Sequence, residues 1–271
     1  MTDSPPMSPP LLHYREYGRL RAWKPSLLFL HGLFGSAANW RSIARHFEAD
    51  WHVVVPDLRN HGESFHDEQI SYPLMSEDLR LLVDHLALPQ VVPVGHSMGG
   101  KVAMTLALRQ PDGVAALGVV DIAPVAYPNR FASVLNAMAE LERRQPSDRR
   151  QATDWLARCV GDRGVAAYLL QNLRRDAAGR WRWRLNLSAL SRHIDAIGGF
   201  PGDLCTHPPR LPAAFIHGTR SEYLDSEGQA AARRCFPLAC FYPIPEAGHW
   251  VYAERPEAFV HALNGFLADT V

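Results

Sequence analysis

Long apolar runs, an excess of charge of either sign and closely spaced cysteine pairs are all missing from this sequence. The longest apolar stretch, residues 113–120, spans 8 residues, under half of the roughly 18 that a membrane-spanning helix needs. Lys plus Arg number 28 and Asp plus Glu number 28, so the formal net charge is zero. That excludes a nucleic-acid binder that works through a whole-surface basic field. Cys159, Cys205, Cys235 and Cys240 form no C-x-x-C pair, which leaves zinc and thioredoxin-like chemistry unsupported. Residues 1–11 are proline-rich and lack the basic and apolar regions of a secretory signal. They are expected to form a disordered leader on a cytoplasmic protein, with all four cysteines as free thiols.

What is present is an ordinary globular composition, 47% apolar and 21% charged over 271 residues. That length fits one large domain, or one domain carrying an insertion. Short apolar runs at 26–30, 52–55, 91–94 and 117–122 alternate with helical patterns at 38–47, 72–88 and 99–109. Strands apolar on both faces, separated by helices, predict an α/β fold with a mostly parallel sheet. The rhythm breaks between 125 and 205. That segment reads as helices at 133–144, 147–160 and 164–172, then an aromatic-basic stretch at 180–187, with no clear strand. Residues 126–205 carry 13 Arg against 8 Asp plus Glu. The rhythm resumes with strands at 213–217 and 240–244 and helices at 226–235 and 255–267. The predicted organisation is a core of 12–124 and 206–271 interrupted by a helical cap of 125–205.

Gly95-His96-Ser97-Met98-Gly99 follows a predicted strand and opens a predicted helix. A G-x-S-x-G pattern in that setting makes a sharp turn that lifts the serine hydroxyl above the sheet. Serine needs a base to act as a nucleophile at neutral pH. His249, in Glu246-Ala247-Gly248-His249-Trp250, lies after the last strand and before the last helix. That suits the chain order serine, acid, histidine. His31-Gly32-Leu33-Phe34-Gly35 follows the first clear strand. Its place points to the Leu33 N–H as one oxyanion donor and the Met98 N–H as the other, each worth roughly 3 kcal/mol.

Together with Asp57-Leu58-Arg59-Asn60-His61-Gly62-Glu63-Ser64, these motifs resemble the α/β-hydrolase superfamily over about residues 12–271. A narrower resemblance is to the YbfF-type bacterial esterases. It is carried by His31-Gly32-Leu33-Phe34-Gly35-Ser36, His96-Ser97-Met98-Gly99-Gly100-Lys101, Val120-Asp121-Ile122-Ala123-Pro124, Trp183-Arg184-Leu185-Asn186-Leu187 and Ala247-Gly248-His249-Trp250. In many members of the superfamily the acid follows the strand after the cap, in a Gly-x-x-Asp pattern. Here that place reads Gly218-Thr219-Arg220-Ser221, with Glu222 and Asp225 offset. The other position used in the superfamily, and implied by the narrower resemblance, is the end of the preceding strand, where Asp121 stands. Asp121 is therefore the expected acid, with Asp225 and Glu222 as alternatives.

Asp57 and Arg59 read as structural pins beside the oxyanion turn, and Lys101 as structural. The cap aromatics include Trp155, Tyr168, Trp181, Trp183 and Phe200, and some are expected to shape an acyl crevice. Phe34, Trp183, Tyr223 and Trp250 are the candidate substrate-binding residues. The cap arginines read as a solvated face, or as a field that attracts an anionic leaving group such as coenzyme A. The expectation is a serine hydrolase of small-molecule carboxylic esters or thioesters that needs no metal or organic cofactor. A C–C bond hydrolase with the same triad, or a non-catalytic binding protein on this fold, are the alternatives.

Overall fold

The computed structural model describes residues 10–271, so most of the expected leader lies outside the described residues. A seven-stranded sheet forms the centre, in the order β1-β3-β2-β4-β5-β8-β9. Its strands are β1 (Tyr14–Tyr17), β2 (Ser26–Leu30), β3 (Val53–Pro56), β4 (Val91–His96), β5 (Leu117–Val120), β8 (Ala213–Gly218) and β9 (Ala239–Ile244). All neighbours are parallel except β1, which runs antiparallel along β3. The helices against this sheet are α1 (Arg41–Phe47), α2 (Tyr72–His85), α3 (Met98–Arg109), α9 (Ser226–Cys235), α10 (Val251–Glu254) and α11 (Pro256–Thr270).

The period-2 alternation of the strands sends successive side chains to opposite faces. Leu27 and Phe29 join Trp40, Phe47, Phe259 and Phe266 in one apolar cluster. Leu28 and Leu30 join Met75, Leu79, Val102 and Phe236 in the other. The second cluster continues into the segment between β5 and β8, through Leu135, Met138, Leu156 and Leu169. That segment holds α4 (Ala132–Arg144), α5 (Arg149–Val160), α6 (Arg163–Leu170), α7 (Leu187–Arg192) and α8 (Ile194–Gly198).

Several expectations are corrected. The 125–205 segment does contain strands: β6 (Leu173–Arg175) and β7 (Trp181–Trp183) form an antiparallel hairpin. Three-residue strands are too short to show a period. The predicted helix at 38–47 is split into a 3-10 turn, Ala37–Trp40, and α1. The cysteines are not all free. Cys205 and Cys235 form a disulfide with their Cα atoms 4.6 Å apart, while Cys159 and Cys240 are free. The bond joins the chain's exit from the inserted segment to the end of α9, and 30 residues separate the two positions in sequence. No spacing rule could pair them. Among the described residues, no helix is long and apolar enough to cross a membrane.

Candidate active site

Ser97 sits between β4 and α3 with φ 52 and ψ −118, a conformation that side chains other than glycine adopt at a cost of about 1–3 kcal/mol. Its N–H donates to the Val120 carbonyl at 3.0 Å, tying the turn to the end of β5. The flanking glycines are required by close approach. A Cβ on Gly95 would lie 2.1 Å from the Gly99 carbonyl oxygen, and one on Gly99 would lie 2.4 Å from that of Leu30.

The next strand out, β5, runs into Asp121, also at positive φ (53) and fully buried. Its N–H donates to the Ile216 carbonyl at 2.9 Å. Asp121 Oδ1 accepts from the Gly218 N–H at 3.0 Å. Oδ2 accepts from His249 Nδ1 at 2.7 Å and from the Ser221 hydroxyl. Asp121 is therefore the carboxylate brought to His249. Asp225 instead caps α9, accepting from the Gly228 N–H at 2.8 Å. Glu222 is exposed and faces Arg130 at 3.7 Å. The His249 loop is pinned from both sides. The Gly248 N–H donates to Glu254 at 2.7 Å, and Tyr223 stacks on the imidazole at 4.1 Å. Burial, and then the neighbouring His249, holds His96 well below the usual imidazole range. As a neutral ring it donates from Nε2 to the His249 carbonyl at 2.8 Å.

On the opposite side lies the turn after β2. Phe34 adopts φ 61 there, and its N–H donates to His61 Nε2 at 3.3 Å. The Gly35 N–H donates to the Gly32 carbonyl at 2.9 Å. Burial lowers His31, and lowers His61 to about 3, so both rings are neutral and each has one donor and one acceptor nitrogen. His31 donates to the Gly32 carbonyl and accepts from the Leu58 N–H. His61 donates to the Arg59 carbonyl and accepts from Phe34. Met98 opens α3, so its N–H has no intrahelical acceptor.

Residues 25–135 match the family model described as alpha/beta hydrolase fold. The chain is 40% identical over 252 residues to the sn-1-specific diacylglycerol lipase ABHD11 of Mus musculus, covering 90% of this chain and 81% of that protein. The chain belongs to the α/β-hydrolase family. Esterase YbfF of Escherichia coli (strain K12) is 33% identical over 249 residues, with 90% of this chain and 93% of YbfF covered. A solved structure, a marine microorganism esterase, superposes with a TM-score of 0.89 at 32% identity, covering 95% of this chain and all of that one. With relatives of this kind over nine-tenths of its length, the protein is an esterase-type hydrolase.

Two cavities of the hydrolase reach Ser97. One, of about 550 Å³, includes Met98, Lys101, Ile122 and Ile197 in its wall. The other, of about 290 Å³, includes Phe34, Tyr168, His249 and Trp250. Tyr223 lines both. Of the four predicted substrate-binding residues, Phe34, Tyr223 and Trp250 therefore reach the site. Trp183 does not, and that expectation is corrected. It is buried, with its indole N–H donating to the Met138 carbonyl at 2.8 Å, and lines neither cavity.

The contacts that several contributors make were not legible in the sequence. Ser221, noted only as the wrong residue for an acid, donates to Asp121. From the inserted segment, Tyr168 donates its hydroxyl to the Leu33 carbonyl at 3.0 Å, and Asn172 donates to the Phe34 carbonyl at 2.6 Å. Asp57 does pin the neighbouring loops, accepting from the Ala37 and Glu63 N–H groups at 2.7 and 2.9 Å. Arg59 reaches away from the turn after β2 to Asp78 on α2, at 2.5 and 2.6 Å. Lys101 is buried, and its ammonium donates to the carbonyls of Val125, Gly198 and Gly199 at 2.8, 2.7 and 2.7 Å. Many inserted-segment arginines are paired with carboxylates: Arg144 with Glu140, Arg163 with Asp154, Arg174 and Arg184 with Glu63, and Arg182 with Glu142.

Proposed function

We propose that the hydrolase cleaves carboxylic esters through an acyl-enzyme formed on Ser97. The Ser97 oxygen attacks the acyl carbon while His249 Nε2 takes the hydroxyl proton. Asp121 holds the opposite ring nitrogen, orients the imidazole and stabilises the imidazolium. The developing oxyanion accepts from the N–H groups of Leu33 and Met98. His249 then returns the proton to the leaving oxygen and the alcohol departs. Water, deprotonated by His249, attacks the acyl-enzyme and releases the acid and Ser97. The observation that carries this reading is the 2.7 Å contact between His249 Nδ1 and Asp121, made beside a serine raised on a strand–helix turn.

Residues 125–205 act as the cap in this reading, with Phe131, Val134, Val165, Tyr168 and Leu169 over Ser97. Residues 12–124 and 206–271 form the catalytic core. Diacylglycerol, named for the mouse relative, belongs in the first substrate panel. Thioesters can be cleaved by the same steps and belong there too.

The test is a fluorophosphonate reaction followed by peptide mass mapping. The expected adduct is on Ser97, and Ser97→Ala should give none. An adduct formed on Ser97→Ala at the wild-type rate overturns the assignment. Cytoplasmic residence is a separate proposal, and the Cys205–Cys235 bond weighs against it because disulfides persist in oxidising compartments. Alkylation of the protein straight from cells separates the two: free Cys205 and Cys235 support the cytoplasm, and protected ones an oxidising compartment.

A further inference from the structure

The two cavities are not equivalent with respect to the catalytic groups. They meet at Leu33, Ser97, Phe131 and Tyr223. His249 lines only the smaller one. In the acyl-enzyme reading, on which this inference rests, one proton must pass from the imidazolium to the leaving oxygen. The leaving group therefore lies on the His249 side, within hydrogen-bond reach of the ring. The acyl chain, attached to the carbon that bonds to Ser97, must extend the other way.

We infer that the larger cavity receives the acyl chain and the smaller cavity receives the alcohol, and that both are apolar. In the larger cavity, Tyr72, Met98, Ile122, Ile194 and Ile197 supply apolar surface. Its one buried charge, Lys101, has each of its three donors engaged by a backbone carbonyl, so it has none left for a substrate carboxylate. The Tyr72 hydroxyl is likewise given to the Ile197 carbonyl at 2.5 Å. Arg130 and Glu222 at the same cavity are exposed and face one another, and the third exposed charge of its wall, Asp225, is engaged by the Gly228 N–H that it caps. An aliphatic acyl chain is the ligand that matches this wall.

The smaller cavity is lined by Phe34, Val134, Val165, Leu169 and Trp250. Among the described residues, its lining includes no Asp, Glu, Lys or Arg. The hydroxyl of Tyr168 is already donated to the Leu33 carbonyl. A compact, uncharged alkyl or aryl alcohol fits here. A phosphate-bearing thiol would meet no compensating cation.

The test uses two ester series on the full-length enzyme. In one the acid lengthens from two to ten carbons with ethanol held constant. In the other the alcohol lengthens from one to eight carbons with acetate held constant. Each buried methylene should raise kcat/KM by up to about fourfold until its cavity is filled. Ile197→Trp, which fills the larger cavity, should flatten the acid series and leave the slope of the alcohol series. Val165→Trp should flatten the alcohol series and leave that of the acids. If either variant fails to fold, as judged by circular dichroism, Ile194→Phe and Leu169→Phe replace them. Crossed slopes, both series flattened by one variant, or no flattening in either would overturn the inference. Failure of the acyl-enzyme reading looks different: the wild-type enzyme would then carry no phosphonate adduct on Ser97.

Discussion

The residues grouped around Ser97 come from two regions that are held in place by different physics. On the sheet side, Ser97, Asp121 and His249 follow the C-terminal ends of β4, β5 and β9. Phe34, Ser97, Asp121 and Glu246 have φ of 61, 52, 53 and 59. Four non-glycine residues in the left-handed region lie at or beside one site. Such strain persists only where the surroundings over-determine it, here through the parallel strands and the backbone hydrogen bonds of Ser97 and Asp121. In the inserted segment, Gln145 is the non-glycine residue with positive φ, at 49, and it merely ends α4. That segment reaches the site through side chains: Tyr168 and Asn172 on the turn after β2, and Val134, Val165 and Leu169 on a cavity wall. The sheet-side groups are placed by backbone, and the inserted segment supplies side chains to the cavity wall. Substitutions on the sheet side should therefore abolish turnover, and those in the inserted segment should tune it or weaken the fold.

The sharpest way to break this contrast is at Ser97. Ser97→Ala should lower turnover of a simple aryl ester by about 10⁴ or more with little change in Tm. An activity loss below tenfold would place the chemistry elsewhere. Asp121→Asn comes next, with an expected loss of about 10³–10⁴ in kcat in a folded protein. Asp225→Asn and Glu222→Gln should stay within roughly tenfold, about 1.4 kcal/mol in the barrier. Steady-state kinetics on the three variants decide the acid, and the reverse ranking would transfer the role to the β8 end.

Trp183→Ala tests the other side of the comparison. Loss of a buried indole should cost about 3–5 kcal/mol of stability, read by denaturant melts, with the chain-length preference unchanged. A shifted preference would bring Trp183 back to the substrate. Reduction of the Cys205–Cys235 bond should lower stability by about 3–4 kcal/mol for a loop of this size. Melting curves with and without dithiothreitol measure that loss.

Tyr168→Phe is the smallest change expected. It removes one donor from the Leu33 carbonyl, a bond worth about 0.5–1.5 kcal/mol. The expected result is a two- to tenfold fall in kcat with KM nearly unchanged. A rise in KM alone would mean that Tyr168 shapes the cavity without positioning the turn.

Much of the core was legible because its elements are long and apolar. β2, β3, β4 and β8 are buried along nearly their whole lengths, and each carries at least three apolar residues in succession. β1 was not legible, since Arg15 and Glu16 are exposed at its centre and it pairs only at the sheet edge. The β6–β7 hairpin was missed for a similar reason: its exposed positions carry Arg174, Arg175 and Arg182, which look like a solvated helix face. Tyr168 and Trp183 are both aromatics of the same segment. Helical spacing could not tell which of the two faces Ser97.

By itself the sequence determined the features whose causes are local. The turn at Ser97 needs Gly95 and Gly99 within two residues on either side, because their missing Cβ atoms leave room for the Gly99 and Leu30 carbonyls. The alternation of strand and helix follows from side-chain periods of 2 and about 3.6. Tertiary structure alone decided which distant groups meet. Asp121 and Asp225 both follow strands that end on the His249 side of the sheet. The order β4-β5-β8 sets Asp121 against the imidazole, while α9 draws Asp225 into its own first turn. Cys205 and Cys235, and Tyr168 and Leu33, were paired in the same way. A periodic pattern states which face a residue occupies. It carries no information about the neighbour across the interface, because that depends on how whole elements pack.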